Sequence, residues 1–320
     1  MVWLSAENGR GAVIKRVTEG DGFELRKILA DCSGLVIREG VAGARYTTFA
    51  IGGPLQFLVE PCDIDALARL RARLHAEGVP SRMLGAGSNV VIPDEGLAGV
   101  VIRLGEGFRL LKDLSEGVFS VGASFSVMRL SRDLSQAGFA GLEFAGGIPA
   151  SFGGAVFMNA GAHGGEFGDV VERVSVVHRD GTTETIERGS LSMTYRRGDV
   201  PVEAIVVAGE VRLTASDKDR VAERRAAFLT HRKATQPLHL PSAGSVFRNP
   251  PNQYAGELIE ATGLKGSTVG GAQVSLLHGN WIVNPERRAT AADVRSIIDM
   301  TVDRVREAHG VELEPEVRLW

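Results

Sequence analysis

Cysteine is nearly missing: Cys32 and Cys62 are the only two in 320 residues, and they form neither a CxxC pair nor a metal-ligand spacing. That excludes a disulfide framework and suits a reducing compartment, the cytoplasm. A charge excess of one sign is also missing. Lys plus Arg number 36 against 39 Asp plus Glu, so neither a basic nucleic-acid surface nor a polybasic membrane patch is expected. No apolar run approaches the roughly 20 residues of a membrane helix, and residues 1–16 lack the apolar stretch of a signal peptide. His163, His178, His231, His239 and His278 are scattered and predict no metal site. A Walker A sequence is absent, and so is the three-glycine dinucleotide fingerprint: Gly85-Ala86-Gly87-Ser88-Asn89 is followed by Val90 where the third glycine would stand.

Glycine, by contrast, is plentiful, and it is concentrated. Gly141 to Gly161 is apolar, nearly uncharged and dense in glycine. Glycine loses the most entropy on folding, so such a run is a poor way to build plain core. It makes sense where backbone turns sharply, or lies so near a ligand that a Cβ would collide. Amides bared in this way form a nest for phosphates and other anions. The stretch therefore reads as the wall of a nucleotide-cofactor site. Residues 85–89 follow a strand and read either as a tight strand-to-strand turn or as a second phosphate loop. Two such stretches could grip the two ends of one dinucleotide.

Length suggests about two domains. Residues 55–104 have a βαβ pattern: an alternating strand at 55–60, an N-cap at Asp63, and a helix with Ile64, Leu67, Leu70 and Leu74 on one stripe, stopped by Gly78 and Pro80. Strands are expected at 118–121, 170–178, 183–186 and 204–213, with a helix over 126–137, so the class is α+β. Ser216 and Asp219 resemble a capping box for a helix running to about His231. Thr290 can cap a last helix with Val294, Ile297, Ile298, Val302 and Val305 on one face. A final strand is expected over 311–319. The boundaries that follow are a 1–33 extension, lobes at 34–104 and 105–213, and a C-terminal unit at 214–320.

Two further motifs have both a plain and a chemical reading, and a third only a plain one. Arginines in Tyr195-Arg196-Arg197 are most simply solvated charges, but a guanidinium fork there could hold a carboxylate or phosphate. Ser245, in the loop Pro241 to Pro250, has no base at readable spacing and so is no obvious nucleophile, although it could donate a proton. Glu312 to Arg318 reads as a charged edge strand.

Taken in order, these blocks resemble the UDP-N-acetylenolpyruvoylglucosamine reductase family. The matching segments are Tyr46 to Gly53, Leu84 to Asn89, Gly141 to Gly161, Tyr195-Arg196, Gly244 to Pro250, Ile282-Val283-Asn284 and Glu316-Val317-Arg318. They appear in family order over residues 34–320. The short connection after Arg196 is similar to the subtype that lacks an inserted tyrosine-bearing loop. The resemblance implies a two-lobed FAD-binding domain of the vanillyl-alcohol-oxidase type and a C-terminal α+β substrate-binding domain. It also implies reduction of an enolpyruvyl sugar nucleotide by NADPH for peptidoglycan synthesis, with no nucleic-acid or membrane partner.

Carried over residue by residue, the resemblance makes Ser245 the proton donor and gives Arg196 and Glu316 catalytic roles at the substrate carboxylate. FAD contacts fall on Gly85, Ala86, Gly87, Ser88 and Asn89, then on Gly147, Ile148, Pro149, Ser151, Gly153, Gly154, Ala155, Asn159, Ala160 and Gly161. Asn249, Arg318 and Lys233 become substrate contacts. Thr235 stands where the family often has a basic residue, with Arg232 and Lys233 close by, and Ala150 replaces a frequent glycine. No histidine lies in 85–89, so FAD is expected to be non-covalent. The competing readings are an oxygen-using FAD oxidase of the same superfamily and a non-catalytic flavin or sugar-nucleotide sensor.

Overall fold

The computed structural model describes residues 19–320. Residues 1–18 of the expected 1–33 extension lie outside them. The first sheet has the order 35–42, 54–61, 97–102, 81–83. Its first pair is antiparallel, and the others are parallel. Helix α1 (Glu19–Ala30) and helix α2 (Ile64–Ala76) lie beside it. Asp63 caps α2, its carboxylate accepting from the Ala66 amide at 2.7 Å. Leu67, Leu70 and Leu74 are buried as the stripe predicts, but Ile64, at the first helical position, is exposed. Side chains alternate across the central strands. Phe57, Val59, Val100 and Ile102 face the helices with Leu25 and Leu29 of α1, while Leu58, Val101 and Leu84 fill a smaller core on the other side.

The second sheet is wholly antiparallel, in the order 183–187, 171–177, 205–212, 118–122, 111–113. Helices α3 (Val127–Gln136) and α4 (Phe152–Phe157) belong to this body, α4 leaning on strand 205–212. Its apolar side chains are continuous with those of the first sheet, so the two lobes share one core.

Helix α5 (Lys218–Thr235) is capped by Asp217, whose carboxylate accepts from the Arg220 amide at 2.9 Å. Ser216 does not cap it as the sequence suggested; the Ser216 amide is engaged instead by the Gly138 carbonyl. α5 packs on α3 and on the turn at 143–147. Beyond it lies a third sheet, 242–245, 281–283, 272–274, 268–269, with helices α6 (Ala255–Ala261) and α7 (Ala291–His309). The core of this third body also takes in Phe49, Ile51 and Val91 from the first lobe.

The expected strand at 311–319 shrinks to Arg318–Leu319. Pro315 interrupts it, and the preceding chain is tied to 246–248 by single bonds from Arg248 to the Glu314 carbonyl and from Glu316 to the Val246 carbonyl. The last two residues then pair in parallel with Val90–Val91. The C-terminus is thus stitched to the strand that leaves the 85–89 loop.

Candidate active site

The 85–89 loop is forced open by its own backbone. Gly87 has φ of 69°, and a Cβ there would lie 1.9 Å from the Tyr46 carbonyl oxygen. Only glycine allows that approach. The Gly87 carbonyl accepts from the Thr48 amide at 3.0 Å, which fixes the loop on segment 46–48. The five amides of residues 85–89 find no acceptor among the described residues. A run of bared, unpaired donors beside a cleft is what a diphosphate requires.

The second glycine stretch touches the first beside this cleft: a Cβ on Gly85 would stand 2.9 Å from the Ser151 hydroxyl. The glycines of that stretch do different jobs. Gly153 is a packing residue, its would-be Cβ 2.8 Å from that of Ala123. Gly147, Gly154 and Gly161 line the cleft together with Ile148, Pro149, Ser151, Ala155 and Ala160. Asn159 does not. Its side chain is fully buried, donating to the Thr194 carbonyl and accepting from the Gly168 amide, so it clamps the turn behind the wall.

Arg196 and Glu316 meet in this cleft, Nε to carboxylate oxygen at 2.9 Å, with side chains 20% and 12% exposed. The Nε–H is not aligned on the oxygen as a hydrogen bond, so the contact is a close ion pair. Each partner is anchored to a different glycine wall. Arg196 Nη1 donates to the Gly161 carbonyl at 3.1 Å, and Asn89 Nδ2 donates to the Glu316 carbonyl at 3.3 Å. Burial raises the Glu316 pKa above the usual carboxylate range, against the lowering pull of Arg196, Arg248 and Arg318. Ser245 lines the same cleft at the end of strand 242–245, just after Gly244, whose φ of 75° turns the chain.

Of the three expected substrate contacts, Arg318 lines the cleft, and its amide donates to the Asn89 carbonyl at 3.0 Å. Asn249 lies outside, its side chain accepting from the Ala255 amide and its own amide donating to the Tyr195 hydroxyl. Lys233 is exposed and away from the cleft. The cation that does face the cleft is its neighbour Arg232. It is 8% exposed, and its Nε donates to Gln236 at 2.8 Å. Burial lowers its pKa, and no carboxylate offsets that. His163 and His231 line the cleft beside it, His163 stacked on Phe228 with ring centroids 4.4 Å apart. Burial, then His231 and Arg232, lower the His163 pKa. A helical signal for this cluster was present: Val221, Arg225, Phe228 and Arg232 fall at i, i+4, i+7 and i+11, one face of α5. Lys233 is about 100° off that face.

A glycine-walled cleft with unpaired amides on one side and a buried arginine–glutamate pair with a serine on the other suits a protein that binds a nucleotide cofactor beside acid–base groups. Known proteins agree. Residues 55–187 match the family model described as FAD binding domain, and 236–320 match that of the C-terminal domain of UDP-N-acetylenolpyruvoylglucosamine reductase. The reductase of Anoxybacillus flavithermus is 39% identical over 300 residues, covering 92% of this chain and 98% of the relative. Reductase 2 of Symbiobacterium thermophilum is 43% identical over 299 residues, covering 92% and 95%. The crystal structure of the Thermus caldophilus reductase, 38% identical, superposes with a TM-score of 0.77 over 89% of this chain and 99% of that one. The chain belongs to the UDP-N-acetylenolpyruvoylglucosamine reductase family, FAD-binding oxidoreductases of peptidoglycan synthesis. No helix among the described residues is long and apolar enough to cross a membrane.

Proposed function

We propose that this chain uses NADPH, through non-covalently held FAD, to reduce the enolpyruvyl ether of UDP-N-acetylglucosamine to UDP-N-acetylmuramate in the cytoplasm. One observation carries the reading: the buried Arg196–Glu316 pair bridges the two glycine walls at the edge of the amide nest. The amides of 85–89 and the wall at 147–161 would hold FAD, which supplies a carrier that takes a hydride from one ligand and returns it to the next. The unit from about residue 214 would hold the sugar nucleotide, with Arg232 rather than Lys233 as the cation nearest its diphosphate.

The substrate's alkene is an enol ether, and hydride adds to it because the conjugated carboxylate can take up the charge. Arg196 is placed to stabilise that growing negative charge with a preorganised guanidinium. Glu316 beside a second carboxylate must carry or share a proton, and its burial favours that state. Ser245 gives its proton to the carbon next to the carboxylate, completing addition of one hydride and one proton. A hydroxyl is a weak acid, but the carbanionic partner is a strong base and the two are held together.

An anaerobic titration tests the reading. NADPH should bleach the bound flavin, and the enolpyruvyl sugar nucleotide should restore its colour with no oxygen present. Colour returning only on admission of air would instead mark an oxidase.

A further inference from the structure

Trp281 carries a buried indole N–H that nothing assigned so far uses. The residue is 5% exposed, lines the active-site cleft, and its Nε1 has no hydrogen-bond partner among the described residues. An unpartnered buried donor costs about as much as a lost hydrogen bond, so its persistence beside a ligand cleft calls for an acceptor. A phenylalanine would fill the same apolar space without that cost.

Its place in the sheet says where the acceptor lies. Trp281 opens strand 281–283 and stands opposite Ser245 in the antiparallel ladder. Opposed residues put their side chains on one face with Cβ atoms about 5 Å apart. The two strands are locked in that register by the Val246 amide on the Asn280 carbonyl and by both ends of the Asn280 side-chain amide, which bond the Phe247 amide and carbonyl. Behind the indole, His278 packs at a ring-centroid distance of 6.3 Å, its Nδ1 already accepting from the Asn280 amide. The register therefore holds the donor beside the serine.

We propose that Trp281 is a substrate-binding residue whose indole N–H donates to an oxygen of the sugar nucleotide held next to Ser245. The inference rests on the function proposed above, which places that substrate at Ser245. It adds a neutral donor on the opposite strand, fixing the substrate's orientation toward the serine without adding charge near the carboxylate.

The test uses the FAD-loaded full chain. In Trp281→Phe, flavin reduction by NADPH should proceed at the parent rate. The concentration of enolpyruvyl sugar nucleotide that half-saturates reoxidation should rise roughly fivefold to twentyfold, the loss expected for one hydrogen bond. An unchanged half-saturation in Trp281→Phe, with reoxidation intact, overturns the role of Trp281 and leaves the proposed reaction standing. Failure of the parent to reoxidise with this substrate would instead remove the reading on which the inference rests. A second measurement does not depend on the variant folding. In the parent labelled with 15N at its indoles, one of the three tryptophan N–H signals should move downfield at saturating sugar nucleotide. That signal is identified by elimination with Trp3→Phe and Trp320→Phe. A Trp281 signal that stays put overturns the proposal.

Discussion

Arg196 sits at φ of 59°, a left-handed conformation uncommon for a residue with a Cβ, within a turn closed by reciprocal bonds between Thr194 and Arg197. Such a backbone costs about 1–3 kcal/mol and persists where the surroundings over-determine it. Here it aims the guanidinium at Glu316 and at the Gly161 carbonyl. The raised pKa of Glu316 has a kinetic consequence. A carboxyl that must hold a proton works below its pKa and fails above it, so upward displacement extends its working range toward neutral pH. Flavin reoxidation by substrate should therefore slow as pH rises through the Glu316 pKa. In Glu316→Gln that limb should vanish and the rate fall roughly 10²–10⁴-fold. A single-turnover pH–rate profile checks both, and an alkaline limb retained in the variant would contradict this role for Glu316. At this scale the sequence singled out Ser245, Arg196 and Glu316 by residue type, and the structure brings all three to one cleft. The sequence misled where direction decides. Lys233 and Arg232 are adjacent cations, and only the rotation of α5 tells which one faces inward. Asn159 carries two donors and an acceptor into the right neighbourhood but spends them on Thr194 and Gly168.

Among the elements, α7 shows how a helix end joins two bodies. Its own capping box is complete: Thr290 accepts from the Asp293 amide, and Asp293 accepts from that of Thr290. Two further amides at its start, of Ala291 and Ala292, donate to the carboxylate of Asp94 at 2.8 and 3.1 Å. Asp94 lies between Val91 and strand 97–102, in the first lobe, so an acid from one body completes the helix N-terminus of another. Asp94→Ala should lower stability by about 1 kcal/mol, the ordinary value of a cap. Urea denaturation of the flavin-loaded protein reads it as a lower midpoint at unchanged slope, and an unmoved midpoint would show that the contact is idle. The Thr290 cap and the apolar face of α7 were readable from local pattern; the reciprocal bond to Asp293 was not singled out. Nor was the contribution of Asp94, since its partners are almost 200 residues away. The overcalled strand at 311–319 has the same origin: alternation suggested a ladder, but Pro315 and the competing partners at 246–248 left only its last two residues to pair.

For the molecule as a whole, the chain's two ends of interest are brought together by stitching. The C-terminal strand lies on Val90–Val91, Thr48 bonds the Gly87 and Ser242 carbonyls, and the third core reaches into the first lobe through Phe49 and Ile51. These contacts set the Ser245 loop and Glu316 against the amide nest. The α+β class and most strands could be read from pattern, because period and turn residues are local properties. The closure of three sheets around one cleft could not, because it depends on pairings between residues far apart in sequence. The most direct test of the central claim, that Ser245 completes the reduction opposite the Arg196–Glu316 pair, is stopped-flow kinetics of Ser245→Ala. Flavin reduction by NADPH should match the parent, and reoxidation by the enolpyruvyl sugar nucleotide should slow roughly 10²–10⁴-fold or more. Equal slowing of both steps, or of neither, would contradict it.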